Sequence, residues 1–124
     1  MTAEYARERE QFDRPIGSFQ AVHQRAADAY IQVEAMRLSL WEAAWQLSEG
    51  RDAQLAIATA KFWAAEGGQF VAFACQHLHG GIGIDIDYPM HRYFLWSMQN
   101  EHAFGAASAQ LADLGLEIAA RESA

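Results

Sequence analysis

Two long stretches of helical periodicity constrain the fold of this chain more than any other feature. Apolar residues recur every three or four positions over residues 19–47, and again over residues 55–78. This spacing places them on one face of an α-helix, and the first helix would be about thirty residues long. Ser18 and Asp52 are suitable N-caps for the two helices, and Gly50 can end the first.

Shorter helical segments flank this pair. A charged helical run over residues 2–10 opens the chain, and Pro15 interrupts the pattern after it. Pro89 can begin a short helix over residues 90–100, and a last helix is predicted over residues 103–121. No strand pattern of useful length is found. The prediction is an all-α fold: an antiparallel, up-and-down helix bundle of the four-helix type, with its first helix largely truncated.

The composition narrows the classes of function. A length of 124 residues with 52% hydrophobic content predicts a single domain over residues 1–124. A formal net charge of −7, with Lys61 as the only lysine, argues against binding to nucleic acid or to an anionic membrane. Cys75 is the only cysteine, and no apolar run is long enough to span a bilayer. A cytoplasmic location is the simplest expectation.

The glycine-rich segment over residues 77–93 is the candidate for chemistry. Its Gly80-Gly81 pair leaves the backbone open to a ligand, and N–H groups in such a turn can point at a phosphate. The alternative is a helix C-cap followed by a chain reversal. His77 and His79 are two positions apart, which is wrong for one helix face, so we predict no metal site.

Three motifs carry a family resemblance. Residues 5–20 read YAREREQFDRPIGSFQ, residues 77–83 read HLHGGIG, and residues 88–93 read YPMHRY. They resemble, in the same order, the YAxxRxQFGxPIxxFQ, QxHGGxG and YPxERYxRD motifs of acyl-CoA dehydrogenases. The chain is therefore similar to the C-terminal helical domain of that family, with the N-terminal helical domain and the middle β-domain absent.

The resemblance implies an activity, a cofactor and its contacts. Family members oxidise acyl-CoA thioesters to 2,3-enoyl-CoA and pass a hydride to FAD, which lies across a subunit interface. The positions implied to contact FAD are Arg9, Gln11, Phe12, Gln20, His77, Gly80 and Gly81. A guanidinium suits a pyrophosphate, and an aromatic ring packs on a flat cofactor. The alternatives are a solvated charge for Arg9 and plain packing or capping for Phe12 and Gln20.

Two of these motif positions depart from the family pattern. His77 replaces the usual glutamine, and Asp13 replaces the usual glycine. The family's catalytic glutamate removes the proton α to the thioester, and Phe104 occupies its position in the register without gaps. A phenyl ring cannot abstract a proton. Glu101, three residues upstream, is the alternative base, and some members carry the base on the preceding helix.

By this resemblance, the elements that serve a partner's FAD are largely kept, whereas those that serve the chain's own site are lost. We therefore expect a non-catalytic subunit that completes a partner's site, resembling the heteromeric steroid-CoA dehydrogenases of actinobacteria. Homo- or hetero-oligomers with family subunits are the expected partners, with an acyl-CoA as substrate. The truncated first helix should leave an apolar groove on the bundle. The alternative function is a cofactor-free helical module for oligomerisation or interaction.

Overall fold

The structure is a computed structural model that describes residues 1–123. Its α-helices are α1 (Thr2–Glu8), α2 (Gln20–Ser48), α3 (Gln54–His79), α4 (Met90–His102) and α5 (Ala107–Glu122). Two-residue strands, β1 (Glu10–Gln11) and β2 (Arg14–Pro15), form an antiparallel hairpin. Short 3₁₀ turns cover Ile16–Ser18 and Gly80–Ile84. The predicted all-α helix bundle is confirmed.

Helix α3 is the centre of the bundle, because α2, α4 and α5 all pack on it. The start of α2 lies beside the end of α3, so these two helices are antiparallel. Phe73 of α3 contacts Phe94 of α4 with ring centroids 5.1 Å apart, whereas Gln54, at the start of α3, bonds Glu117 of α5. Helices α4 and α5 therefore follow one another along α3 in the opposite direction. Together they form the third element of the bundle, and the short helix α1 packs against α3.

The helix ends differ from the prediction at several places. Helix α1 ends at Glu8, because Arg9 is extended and Glu10 pairs with Pro15 across the hairpin. Ser18 does not cap α2: its hydroxyl donates to the Pro15 carbonyl at 2.7 Å, and Phe19 is the N-cap residue. The prediction that residues 103–106 begin the last helix is also wrong, since α5 begins at Ala107. The apolar pattern indicates which segments are helical, but not the residue at which each helix begins or ends.

Pro89 acts as predicted at the start of α4, whereas the N-cap residue of α3 is Ala53 rather than the predicted Asp52. The Asp52 carboxylate accepts a hydrogen bond from the Gln54 backbone N–H at 3.2 Å, at the first residue of α3. Pro89 immediately precedes α4 as its N-cap residue. Asp52 satisfies one of the N–H groups that every helix leaves free at its start, and Pro89 has no N–H to leave free.

The core is built mainly from small side chains. Apart from Met90, the buried hydrophobic residues are alanines: Ala6, Ala43, Ala53, Ala65, Ala72 and Ala74. At Gly67 a Cβ would lie 3.3 Å from side-chain atoms of Gln32 and Met36, so α2 and α3 are in close contact there. Many large apolar side chains consequently remain exposed on the outer faces of the helices.

The expected apolar groove is present between α2 and α3. It is lined by Val33, Met36, Leu40, Ala60 and Ala64, with Arg37 and Lys61 among the lining side chains. Within residues 1–123, no helix combines the length and the hydropathy that a bilayer crossing needs.

Candidate functional site

The tip of the hairpin presents an aromatic ring to solvent. Phe12 and Asp13 are the only residues between β1 and β2, and both have positive φ, 56° and 62°. This is the conformation of two-residue type I′ loops. Aspartate tolerates it, whereas for phenylalanine it is strained. Phe12 is 86% exposed, and its ring centroid lies 6.0 Å from that of Phe19, with the two ring planes nearly perpendicular. Asp13 can thus replace the family's glycine while the hairpin holds Phe12 outward.

Arg9 lies between α1 and the hairpin. Its backbone N–H donates to the Tyr5 carbonyl at 2.8 Å, and its own carbonyl accepts from the Ile16 N–H at 2.7 Å. Its side chain is exposed. Gln11 is also exposed, and its side-chain amide donates to the Glu10 carbonyl at 2.8 Å. The backbone around Arg9 is therefore fixed while its guanidinium is free to meet a ligand.

The glycine turn combines a helix cap with an open surface. Gly80 has φ 63° and ends α3, and its N–H donates to the carbonyls of Gln76 and His77. A Cβ built on Gly80 or Gly81 would meet nothing within 4 Å. Gly83 differs, because a Cβ there would lie 2.6 Å from Gln76 Nε2. The two interpretations left open by the sequence are thus compatible: the turn caps α3 and also leaves its backbone accessible.

Aromatic side chains connect α1 to this turn. The ring of Tyr5 stacks on that of His79 with centroids 4.4 Å apart and planes at 25°. The ring centroid of Tyr88, in the segment that leads into α4, lies 5.4 Å from that of His79. Gly17 packs against α1 so closely that a Cβ would lie 2.7 Å from the Ala6 carbonyl oxygen. The hairpin, α1 and the glycine turn therefore form one surface at one end of the bundle, called here the turn–hairpin surface.

Most of the predicted contact residues belong to this end. Arg9, Gln11, Phe12, Gly80 and Gly81 form the surface itself, with Gln20 exposed at the start of α2 and His77 exposed in the last turn of α3. Phe104 and Glu101 lie elsewhere. The Glu101 side chain meets Gln69 of α3, ten residues before His79, which is about 15 Å along the helix.

The loop between α4 and α5 presents Phe104 rather than a carboxylate. Phe104 has φ 59° and is 95% exposed, and Gly105 follows with φ 95°. Both carboxylate oxygens of Glu101 lie 3.0 Å from the Gln69 side-chain amide, in the contact between α3 and α4. Lys61 donates to the carbonyls of Asn100 and Glu101, which fixes the end of α4.

Sequence reasoning missed the residues beneath the surface. Tyr5, Gln76, His79 and Tyr88 support the turn but were not among the predicted contacts. One signal was available in the sequence. Two residues that are two positions apart in a helix point in different directions, so His77 and His79 are expected to differ in burial. His79 is the buried one. The family's glutamine position holds His77, while Gln76 lies under the turn with its Nε2 3.5 Å from the Gly80 carbonyl oxygen.

Comparison with known proteins agrees with this architecture. Residues 1–118 match the family model for the acyl-CoA dehydrogenase C-terminal domain. The acyl-CoA dehydrogenase FadE27 of Mycobacterium tuberculosis is 55% identical, over 96% of this chain and 34% of its own length. The crystal structure of the ChsE4–ChsE5 complex from M. tuberculosis is 59% identical, with a TM-score of 0.93 over 96% of this chain and 32% of that one. The Tcur3481–Tcur3483 steroid ACAD is 52% identical, with a TM-score of 0.95 over 99% and 34% of the two chains.

The chain belongs to the acyl-CoA dehydrogenase family and corresponds to its C-terminal domain. It spans about a third of the length of the relatives that it matches. Flavin adenine dinucleotide is a cofactor among relatives that share this domain. An FAD complex of PigA is 29% identical, with a TM-score of 0.89 over 97% of this chain and 31% of that one.

Proposed function

We propose that this chain is the C-terminal domain of a flavin-dependent acyl-CoA dehydrogenase, and that it completes the FAD site of a partner subunit. Residues 1–124 form one domain in this proposal, and the N-terminal helical and middle β-domains lie outside the sequence. The observation that carries it is the turn–hairpin surface, where an exposed guanidinium, an exposed ring and an open glycine backbone meet. The cytoplasmic location stays a prediction.

The residues present suit FAD. Arg9 supplies a cation for a pyrophosphate, Phe12 an aromatic face, and Gly80 and Gly81 a backbone that no side chain covers. Gln11, Gln20 and His77 add exposed polar groups at the same end of the bundle. When bound, FAD supplies the hydride acceptor for the oxidation of an acyl-CoA thioester. The part of this chain is to bind and orient the cofactor.

Neither residue that the family resemblance offers as the catalytic base lies on the turn–hairpin surface. Phe104 holds the position that the resemblance assigns to the catalytic glutamate, and its side chain has no group that can accept a proton. The Glu101 carboxylate is engaged by Gln69 between α3 and α4. In the proposal, the proton α to the thioester is therefore removed by a base on the partner subunit.

A heteromer is favoured, because one subunit would supply cofactor contacts and the other the catalytic base. Two of the structures that are similar to this chain carry the names of two proteins each. They are the ChsE4–ChsE5 complex and the Tcur3481–Tcur3483 steroid ACAD. The second is a steroid enzyme, which favours a steroid side chain as the acyl group here. The alternative of a cofactor-free interaction module is favoured by one observation: Ile31, Leu38 and Trp41 on α2 are each more than 60% exposed.

The test uses the full-length protein that carries this domain, purified with its partner subunit. We expect one FAD for each pair of unlike subunits, and loss of activity when the partner's base is replaced. Arg9→Met should weaken FAD binding by about ten- to a hundredfold, because a charge-assisted hydrogen bond contributes about 1.5–3 kcal/mol.

Arg51→Met is the matched control. Arg51 stacks on Trp45 at 4.3 Å, at the end of α2 far from the turn, so its loss should leave FAD binding unchanged. One FAD per subunit, together with activity from this chain alone, would contradict the shared site. A complex that assembles without any flavin would favour the interaction module.

A further inference from the structure

His79 is a polar side chain in a place that packing alone does not explain. Only 4% of its surface is exposed. Its Nδ1 lies 2.8 Å from the Cys75 carbonyl oxygen, and since a carbonyl only accepts, Nδ1 carries a proton. Its Nε2 is buried with no hydrogen-bond partner among residues 1–123. A phenylalanine would fill similar space without burying an unpaired nitrogen, so the N–H bond to Cys75 is a specific feature of this position.

The imidazole ring also contacts two other segments of the chain. Tyr5 of α1 stacks on it at 4.4 Å, and Tyr88, just before α4, lies 5.4 Å away. The Tyr88 carbonyl oxygen in turn accepts a hydrogen bond from His91 Nδ1 at 2.7 Å, which ties this contact to the first turn of α4. One side chain thus touches α1, the end of α3 and the segment that leads into α4.

We propose that His79 is a positioning residue: it clamps these three segments and so fixes the Gly80–Gly81 turn relative to Arg9 and Phe12. Arg9 lies one helical turn beyond Tyr5, and Gly80 directly follows His79, so the stack joins both halves of the surface. A ligand that spans two segments binds more tightly when they are already held in place. The inference rests on the proposed function, because FAD is the ligand whose binding the clamp would assist.

Variants of His79 separate the two parts of the clamp. His79→Phe keeps a ring for the stack and loses the N–H donor, whereas His79→Asn keeps an N–H donor and loses the ring. His79→Ala loses both. Tyr5→Phe keeps its ring, and it should change little, since the Tyr5 hydroxyl donates to the His79 carbonyl oxygen only at the long distance of 3.5 Å.

Ala65→Ser is the matched control for stability alone. Ala65 is fully buried on the same helix, 14 residues before His79, which is about 21 Å away. A buried hydroxyl there should lower the melting temperature without touching the turn. The experiment compares FAD dissociation constants in the full-length complex at a temperature where every variant stays folded and assembled. Hydrogen exchange of the peptide over residues 80–84 is measured in parallel, with and without FAD.

In His79→Ala, we expect FAD to bind about tenfold more weakly, or about 1.4 kcal/mol, with faster exchange in the turn peptide. His79→Phe and His79→Asn should each recover part of both losses. Ala65→Ser should melt earlier but keep the affinity and the exchange of the parent.

Equal weakening of FAD binding by Ala65→Ser and His79→Ala would overturn the inference, as would unchanged turn exchange in His79→Ala. If the parent complex holds no FAD, the proposed function fails instead. The exchange measurement then still decides whether His79 clamps the turn.

Discussion

Replacing Gly17 with alanine should release α1 from the bundle. The new Cβ would lie 2.7 Å from the Ala6 carbonyl oxygen and 3.2 Å from its carbonyl carbon. Both are backbone atoms, so no side-chain rotation can relieve the clash, and one of the two segments must move. The φ angle of Gly17 is not in the left-handed region, so the effect is steric alone. Overpacking of this kind costs about 1–3 kcal/mol.

The assay follows from Cys75, the only cysteine of the chain. Cys75 is partly buried and lines a cavity that α1 covers with Thr2, Ala3 and Ala6. A thiol reagent should therefore react slowly in the parent chain and faster when α1 undocks. If the whole cost falls on the docking of α1, the reaction should accelerate by about 5- to 150-fold. The melting temperature should fall by about 4 °C for each kcal/mol lost in a chain of this size.

Gly115→Ala supplies the control with the opposite sign. Gly115 lies inside α5, and a Cβ there would meet nothing within 4 Å. Alanine is better than glycine in a helix interior by about 0.5–1 kcal/mol, so this variant should melt later and leave the Cys75 reaction unchanged. A Gly17→Ala chain with the melting temperature and thiol reactivity of the parent would refute the reasoning.

Three further substitutions test other parts of the structure. Lys61→Met removes the hydrogen bonds to the carbonyls at the end of α4, and the urea midpoint should fall by an amount corresponding to about 1–2 kcal/mol, with an unchanged m-value. Phe104→Gly relieves the positive φ of a phenylalanine that is almost fully exposed, so the same titration should show a gain of about 0.5–1 kcal/mol; a loss would contradict the strain. Hydrogen bonding to Glu117, together with the nearby Asp52 carboxylate, raises the pKa of Arg121. The contribution of these ion pairs to the stability of the fold is therefore fully present below the ordinary arginine pKa, and it is lost only as the pH rises above the raised pKa. Stability after Arg121→Ala should therefore change by the same small amount at pH 6 and pH 9, and the change should vanish in 1 M salt (roughly a 3 Å screening length), where exposed pairs are screened.

The helices could be predicted from the sequence because their apolar periodicity is long and regular. The short elements could not. The hairpin has strands of two residues, and nothing in the sequence indicates that Phe12 adopts a positive φ, which is rare for a bulky residue. Ser18 is a plausible N-cap by residue type, but the 3₁₀ turn directs its hydroxyl back to Pro15 instead. Local propensity was outweighed there by the hydrogen bonds of the turn.

The same limit applies to the candidate site. The open positions could be predicted, since Gly80 and Gly81 have no side chain to cover the backbone and Arg9 and Phe12 carry recognisable chemistry. The supporting positions depend on contacts between distant segments. Tyr5 and His79 are 74 residues apart in the sequence, and neither residue alone indicates that they stack.

The alanine-rich interior has a consequence for how the domain is stabilised. Small buried side chains let α2 and α3 approach closely, but each removes little apolar area from water, and hydrophobic stabilisation grows with that area. The larger side chains, such as Trp41 and Trp96, are mostly exposed and gain this energy only when another surface covers them. Folding and association should then share one free energy, so the unfolding midpoint should rise with protein concentration. In such a protein, a substitution on the outer face of α2 can lower cellular abundance as effectively as one in the core.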